Sequence, residues 1–220
     1  MFMVLFYFKA VKIEEVSRVV PLFKLSPLFI LIFATIFLGE VFTPITYIGI
    51  LLLVSGAFLI SSRNLSSFKL EKPFWFMILS VLFLTFNQII TKYLLGYADF
   101  WTIFSWTRIG TFLATIPILM VYFPQFRDVF SKHGNKAVSV ITFSQILSLL
   151  GIFFITIAVS DGYVTLANAL SSTQPIFVLI FATIIGLFYP KFIKEEVSKK
   201  QVLQKFIAII LLFIGVILII

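Results

Sequence analysis

The side chains in this sequence that could do chemistry are few, and most are cations or amides set in apolar surroundings. Arg18, Lys24 and Arg108 fall inside long hydrophobic stretches, as do Asn87, Gln88, Gln145, Asn168, Ser172 and Gln174. Such groups are costly in hydrocarbon, where no water satisfies them, so they are expected to face a cavity or one another. Their chemistry is recognition: an ammonium or guanidinium attracts an anionic group, and amides and hydroxyls hydrogen-bond to it. Catalysis is poorly supported. Cysteine is absent and His133 is the one histidine, which leaves no thiolate or histidine-rich metal site and no cysteine nucleophile. Glu14, Glu15, Glu40, Asp99 and Asp161 all stand at the ends of apolar stretches, so no mid-membrane acid–base pair or acidic proton relay is expected. Neither an enzyme, a resident metal nor a cofactor is therefore expected.

Each candidate has a functional and a structural reading. Lys24 lies about ten residues, or about 15 Å, beyond the start of its apolar stretch, where snorkelling to the interface reaches poorly. Ser17, Pro21 and Lys24 share one face of a helix, and a cavity-facing role for Lys24 stands beside a buried structural hydrogen bond. Arg18 is one turn from Glu14 and Glu15, so an interfacial ion pair competes with a cavity role. Arg108 is either a second buried cation or a partner of Asp99. In "TLANALSSTQP" (165–175), Thr165, Asn168, Ser172 and Pro175 form a stripe at helical spacing, with Gln174 beside it. Ser and Thr often serve only as helix-packing contacts, whereas Asn168 and Gln174 have hydrogen-bonding needs that lipid leaves unmet. Gln88 with Thr91, and Gln145 with Ser148, are i,i+3 pairs on single helix faces. Pro27 and Pro175 are expected to kink their helices.

The elements that must position these groups are membrane spans. Of the 220 residues, 61% are hydrophobic and 12% charged, with a mean hydropathy of +1.14. Ordinary soluble domains have roughly 45–50% and 25%. Apolar segments at 14–38, 44–61, 73–95, 100–123, 137–160, 162–188 and 203–220 give seven expected spans, and residues 1–11 give about half of another. "MFMVLFYFKAVK" lacks both the basic start and the cleavage site of a secretory signal and reads as the end of a spanning helix. Alternating the connections across the membrane puts thirteen Lys and Arg residues at 9–13, 61–73, 124–136 and 189–205, against Lys92 alone on the other side. The positive-inside rule then makes those connections cytoplasmic, in a plasma-membrane protein. The net charge of +8 is explained by this asymmetry and by lipid headgroups, so the bilayer is the expected partner and nucleic acid is not.

An internal repeat organises the spans. "PLFILIFATI" (27–36) matches "PIFVLIFATI" (175–184) at eight of ten positions, an offset of 148 residues. "YIGILLLVSGAFLI" (47–60) matches "FIAIILLFIGVILI" (206–219) at seven of fourteen, including Gly56 on Gly215, at an offset of 159. The second copy thus carries 11 extra loop residues and, begun near Pro73, contains five helices. An odd number inverts it relative to the first, as in secondary transporters whose solute sites lie between inverted repeats. By the same offset, about 76 residues of a complete first copy would precede residue 1.

The five-helix repeat, the proline in each fourth helix, "LFILIFATIFLGE" (28–40), the glycine-bearing "IGILLLVSGAFLI", "FNQIITKYLL" (86–95) and "WTRIGTFLA" (106–114) together resemble EamA-type proteins of the drug/metabolite transporter superfamily. Two departures stand out. The first two helices of repeat one and most of the third are missing, and repeat two ends in "IGLFYPKF" (185–192) where the first has "LGE". The resemblance implies an all-α polytopic fold made of an inverted pair of repeats, with residues 1–62 the end of the first and 63–220 the second. It also implies alternating-access transport of small organic solutes, and the cations favour anionic or zwitterionic ones. The alternative is a non-autonomous half that works with a longer N-terminus, as a homodimer or with a partner chain.

Overall fold

The computed structural model describes residues 2–14, 20–61, 72–188 and 199–219. Among the described residues the chain runs through α1 (Phe2–Ile13), a 3₁₀ helix (Val20–Leu25), α2 (Ser26–Leu38), α3 (Pro44–Ser61) and α4 (Lys72–Leu95). It continues through α5 (Phe100–Asp161), α6 (Val164–Ser171), α7 (Gln174–Phe188) and α8 (Lys199–Ile219). Among the described residues four stretches are long and apolar enough to cross a membrane, Pro21–Leu38, Lys72–Leu95, Phe100–Pro124 and Val138–Asp161. The architecture is that of an all-α polytopic membrane protein.

Pro44–Ile60 and Leu203–Ile219 are shorter apolar helices, and two of the expected spans are broken. Within the stretch read as 14–38, Val20–Leu25 is a 3₁₀ helix and Ser26–Leu38 an α-helix. The stretch read as 162–188 stops at Ser171 and restarts at Gln174. Under the 148-residue offset these breaks coincide, since Ser26 is the mate of Gln174 and Pro27 of Pro175. The expected kinks at Pro27 and Pro175 are therefore helix starts. Each proline is the second residue of a new helix, where its missing N–H removes no intrahelical bond and its fixed φ suits the first turn.

The helices form two compact units, Thr91–Gly162 on the one hand and Phe2–Ile90 with Tyr163–Ile220 on the other. The repeat boundary expected after residue 62 lies outside the described residues, as do most of the basic connections 61–73 and 189–205.

In the larger unit, α3 and α8 make the most extensive helix pair, around Ile50, Leu53, Val54, Ala57 and Leu212, with Ala169 of α6 against them. Helix association in lipid gains little from hydrophobicity, because lipid tails are as apolar as leucine; close backbone approach at small residues is the driving contact. Glycines supply it here. A Cβ built on Gly56 would sit 2.8 Å from the Ala208 carbonyl oxygen and from Leu212 Cγ. One on Gly215 would sit 2.8 Å from the Gly49 carbonyl oxygen and from Leu53 Cγ. Gly49, Leu53 and Gly56 are the mates of Ala208, Leu212 and Gly215 at the 159-residue offset. Each contact is thus the other with the repeats exchanged, and the pairing runs antiparallel, which is the geometry an inverted repeat requires. A second cluster, Ala10, Leu22 and Met77, joins α1, the 3₁₀ helix and α4. There Ser80 Oγ donates to the Met3 carbonyl oxygen at 2.8 Å and Phe83 stacks on Phe2 and Phe6.

The smaller unit is a helical hairpin. The rings of Phe100 and Phe104 each lie 5.5 Å from that of Phe153, although a straight helix between these residues would separate them by about 75–80 Å. The chain therefore reverses, and Gly134 (φ 59, ψ −157) is the residue where the helical backbone breaks. Much of the connection 124–136, expected as a loop, is helical up to that glycine. Asp99 caps the first arm, accepting from Thr102 N at 3.0 Å and Thr102 Oγ1 at 2.6 Å. Lys92 Nζ closes the end of the second arm by donating to the carbonyls of Val159, Ser160 and Gly162 at 2.8, 3.3 and 2.6 Å. A cation on the last carbonyls of a helix satisfies orphan acceptors and complements the helix dipole.

Candidate solute cavity at the paired helix breaks

Both helix breaks open on one cavity of about 370 Å³ within the larger unit. From the first break come Phe23, Lys24, Ser26 and Pro27, and from the second Asn168, Ser171, Ser172 and Gln174; Met3 of α1 and Leu84 of α4 complete the wall. The chain makes such a site because a broken helix leaves its first N–H groups and last carbonyls without intrahelical partners. Inside a membrane that is tolerated where the break is buried in protein or lines a cavity. Lys24, at the end of the 3₁₀ helix, donates from Nζ to Gln174 Oε1 at 2.9 Å, linking the two breaks directly. Asn168 donates from Nδ2 to the Val164 carbonyl at 2.9 Å, and its Oδ1 accepts from Gln88 Nε2 at 3.4 Å. Among the described residues the lining contains one cation, several neutral polar groups and no acidic residue.

Of the residues singled out from sequence, Lys24, Asn168, Ser172 and Gln174 line this cavity, and Gln88 joins it through Asn168. Asn87 is exposed on α4 and is not part of the wall. Arg108 and Gln145 belong to the hairpin unit, where Gln145 is exposed. The alternative pairing of Arg108 with Asp99 does not form: Asp99 is committed to Thr102, and the Arg108 guanidinium lies 5.5 Å from the Phe104 ring centre with its Nε buried and unpaired among the described residues. Arg18, read as a cavity or interfacial cation, lies outside the described residues.

Sequence reasoning passed over Glu40. By sequence it is one of several carboxylates at helix ends, yet it is only 4% exposed and holds the start of a helix that lines the cavity. Gly39 ends α2 with φ 68 and ψ 21, a left-handed conformation that glycine adopts without steric cost. Glu40 N then donates back to the Ala34 carbonyl at 3.2 Å. The Glu40 carboxylate accepts from Val164 N at 2.8 Å through Oε1 and from Thr165 N at 3.1 Å through Oε2. Those amides open α6, so the carboxylate satisfies two orphan donors and sits at the positive end of the helix dipole. α6 carries Asn168 and Ser171 to the cavity. The visible signal was asymmetry: the mate of Glu40 in the second copy is Phe188, so this contact is not duplicated. Buried Thr85 and Thr165 hydroxyls also have no hydrogen-bond partner among the described residues.

The N-terminal part of the chain resembles known proteins. Residues 1–62 match the model of the EamA-like transporter family. An uncharacterised transporter in the cobO 3′ region of a Sinorhizobium species is 39% identical over 55 residues, which make up 25% of this chain and 39% of that protein's length. A solved crystal structure, described only as a protein, superposes with a TM-score of 0.67 over 97% of this chain and 71% of its own, at 16% identity, a likeness of fold. Residues 1–62, which hold the "LGE" ending and the glycine-bearing α3, are thus similar to the EamA-like transporter family, and the chain spans about two fifths of the length of the curated relative it matches.

Proposed function

We propose that the chain acts as a membrane secondary transporter of small organic metabolites, with the cavity at the paired helix breaks as its solute site. The observation that carries this reading is the convergence of two helix interruptions, related by the 148-residue offset, on one cavity holding Lys24. Exchange of the two repeats' conformations would then expose the site to each side in turn, which is alternating access. Solutes that carry an anionic group, whether simple anions or zwitterions, are favoured over cationic ones, because the lining offers a cation and neutral hydrogen-bonding groups. In this reading the protein resides in the plasma membrane with its basic connections 61–73, 124–136 and 189–205 on the cytoplasmic side. The test is flux: the purified chain in liposomes should release trapped radiolabelled organic acids or amino acids faster than empty liposomes do. Equal release across a broad panel would defeat the proposal.

A second reading, in which the working unit includes another copy or a partner chain, draws on Gln145. This amide is exposed on a candidate span, Val138–Asp161, where lipid would leave it unsatisfied. A disulfide formed between copies of Gln145→Cys in native membranes supports a homodimer, and an assembly that remains a single chain in detergent and in membranes argues against both forms.

A further inference from the structure

We propose that the cavity at the helix breaks selects monocarboxylates with an apolar body and discriminates against both amines and zwitterions. This rests on the transporter reading for its biological setting, but the site itself is argued from the lining. Its one charged group is Lys24, whose ammonium now rests on the neutral Gln174 Oε1 at 2.9 Å. A carboxylate is a stronger acceptor than an amide oxygen, because a hydrogen bond between two ions is shorter and roughly twice as strong as a neutral one. An anionic head would therefore displace Gln174 from Lys24.

The side-chain charge around that ammonium has one sign. α2 and α7 start at Ser26 and Gln174 in the lining, and the carbonyl ends of the 3₁₀ helix and of α6 fall at the same two breaks, so the opposed helix ends offset one another and the Lys24 charge sets the sign of the site. Among the described residues no acidic side chain in the lining opposes it. A zwitterion that docks its carboxylate on Lys24 must hold its own ammonium close to that charge, with neutral oxygens and no carboxylate among the described lining residues to receive it. A simple amine meets that charge with nothing in return. The rest of the wall is apolar, from Met3, Phe23, Pro27 and Leu84, and rewards a hydrocarbon body. The volume of about 370 Å³ falls at the small end of ligand pockets, which suits one compact ring or short chain.

The test is a matched series that keeps the body and changes the head: 3-phenylpropionate, phenylalanine and 3-phenylpropylamine. Binding to the purified full chain in detergent is measured by equilibrium dialysis of the radiolabelled compounds. Lys24→Met serves as the control for micelle partitioning and Lys24→Arg as the variant that retains charge. Circular dichroism and gel filtration establish that both variants are folded. The expected result is that 3-phenylpropionate binds at least tenfold more tightly than either competitor. Lys24→Met should lose that binding by tenfold or more, and Lys24→Arg should stay within a few-fold of wild type. Equal or tighter binding of phenylalanine or the amine overturns the proposal, as does a folded Lys24→Met that binds within twofold of wild type, or no binding of any of the three. Flux separates the two readings. Lys24-dependent binding without flux in liposomes leaves the site and removes the transporter. Flux of amines or zwitterions that ignores Lys24 leaves the transporter and removes the site.

Discussion

Truncating Glu40 should loosen the cavity wall from a position that does not touch the cavity. Its carboxylate accepts two backbone hydrogen bonds, at 2.8 and 3.1 Å, from the first amides of α6, and the residue is 4% exposed. Hydrogen bonds to a charged group contribute about 1.5–3 kcal/mol each, and their removal leaves two N–H groups buried without an acceptor. Glu40→Ala should therefore cost about 3–5 kcal/mol, while Glu40→Gln, which keeps one acceptor oxygen, should cost about half of that. For a chain of this length about 1 kcal/mol lowers the unfolding midpoint by about 2–4 °C, so the alanine variant should unfold about 10 °C lower. The assay is thermal unfolding of the purified protein in detergent, read by circular dichroism and paired with 3-phenylpropionate binding. Binding should weaken in the same order, because Asn168 and Ser171 are positioned by the helix that Glu40 holds. An alanine variant that unfolds within about 1 °C of wild type, or a glutamine variant worse than alanine, would refute the view that this carboxylate anchors α6 through its amides.

The mirrored glycine contacts predict mirrored damage: Gly56→Val and Gly215→Val should each destabilise the protein by about 1–3 kcal/mol or more, to similar extents, by forcing α3 and α8 apart. A large effect at one site with none at the other would contradict the exchanged-repeat geometry. Asp99 is held below the ordinary carboxylate range by hydrogen bonds from the Thr102 side chain and backbone. A lowered folded pKa means the charged cap's stabilisation is complete above the unfolded value, about 3.9, and fades as pH falls through the folded one. The unfolding gap between wild type and Asp99→Ala should accordingly narrow on acidification below about pH 4 and stay flat near neutrality. For orientation, a cysteine replacing Lys132 should label from the cytoplasmic side and one replacing Ala98 from the opposite side; the reverse pattern would invert the assigned topology.

Composition and hydropathy decide that this chain lives in a membrane, because the cost of burying backbone polar groups in lipid leaves a closed bundle of helices as the solution for apolar segments of span length. The repeat was legible for the same reason that it is structural: glycine, proline and the Ala-Thr pair are position-specific in helix packing, so their register survives while the surrounding Ile, Leu and Phe drift. Lys24, Asn168, Ser172 and Gln174 could be picked out since each is an expensive residue in hydrocarbon. Their assembly could not. Periodicity reads 14–38 and 162–188 as whole helices, because an interruption at Leu25 or Ser172 costs nothing in hydropathy. Only tertiary structure supplies the opposed break and the cavity that make such interruptions tolerable. Glu40 shows the same limit from the other side. A carboxylate at a helix end is unremarkable in sequence, and its role depends on a helix start 124 residues away that the fold brings to it. Arg108 and Gln145 belong with the others by residue type, yet packing puts them in a separate unit. Local chemistry determined which side chains need a partner in lipid, and long-range packing decided which partner each one met.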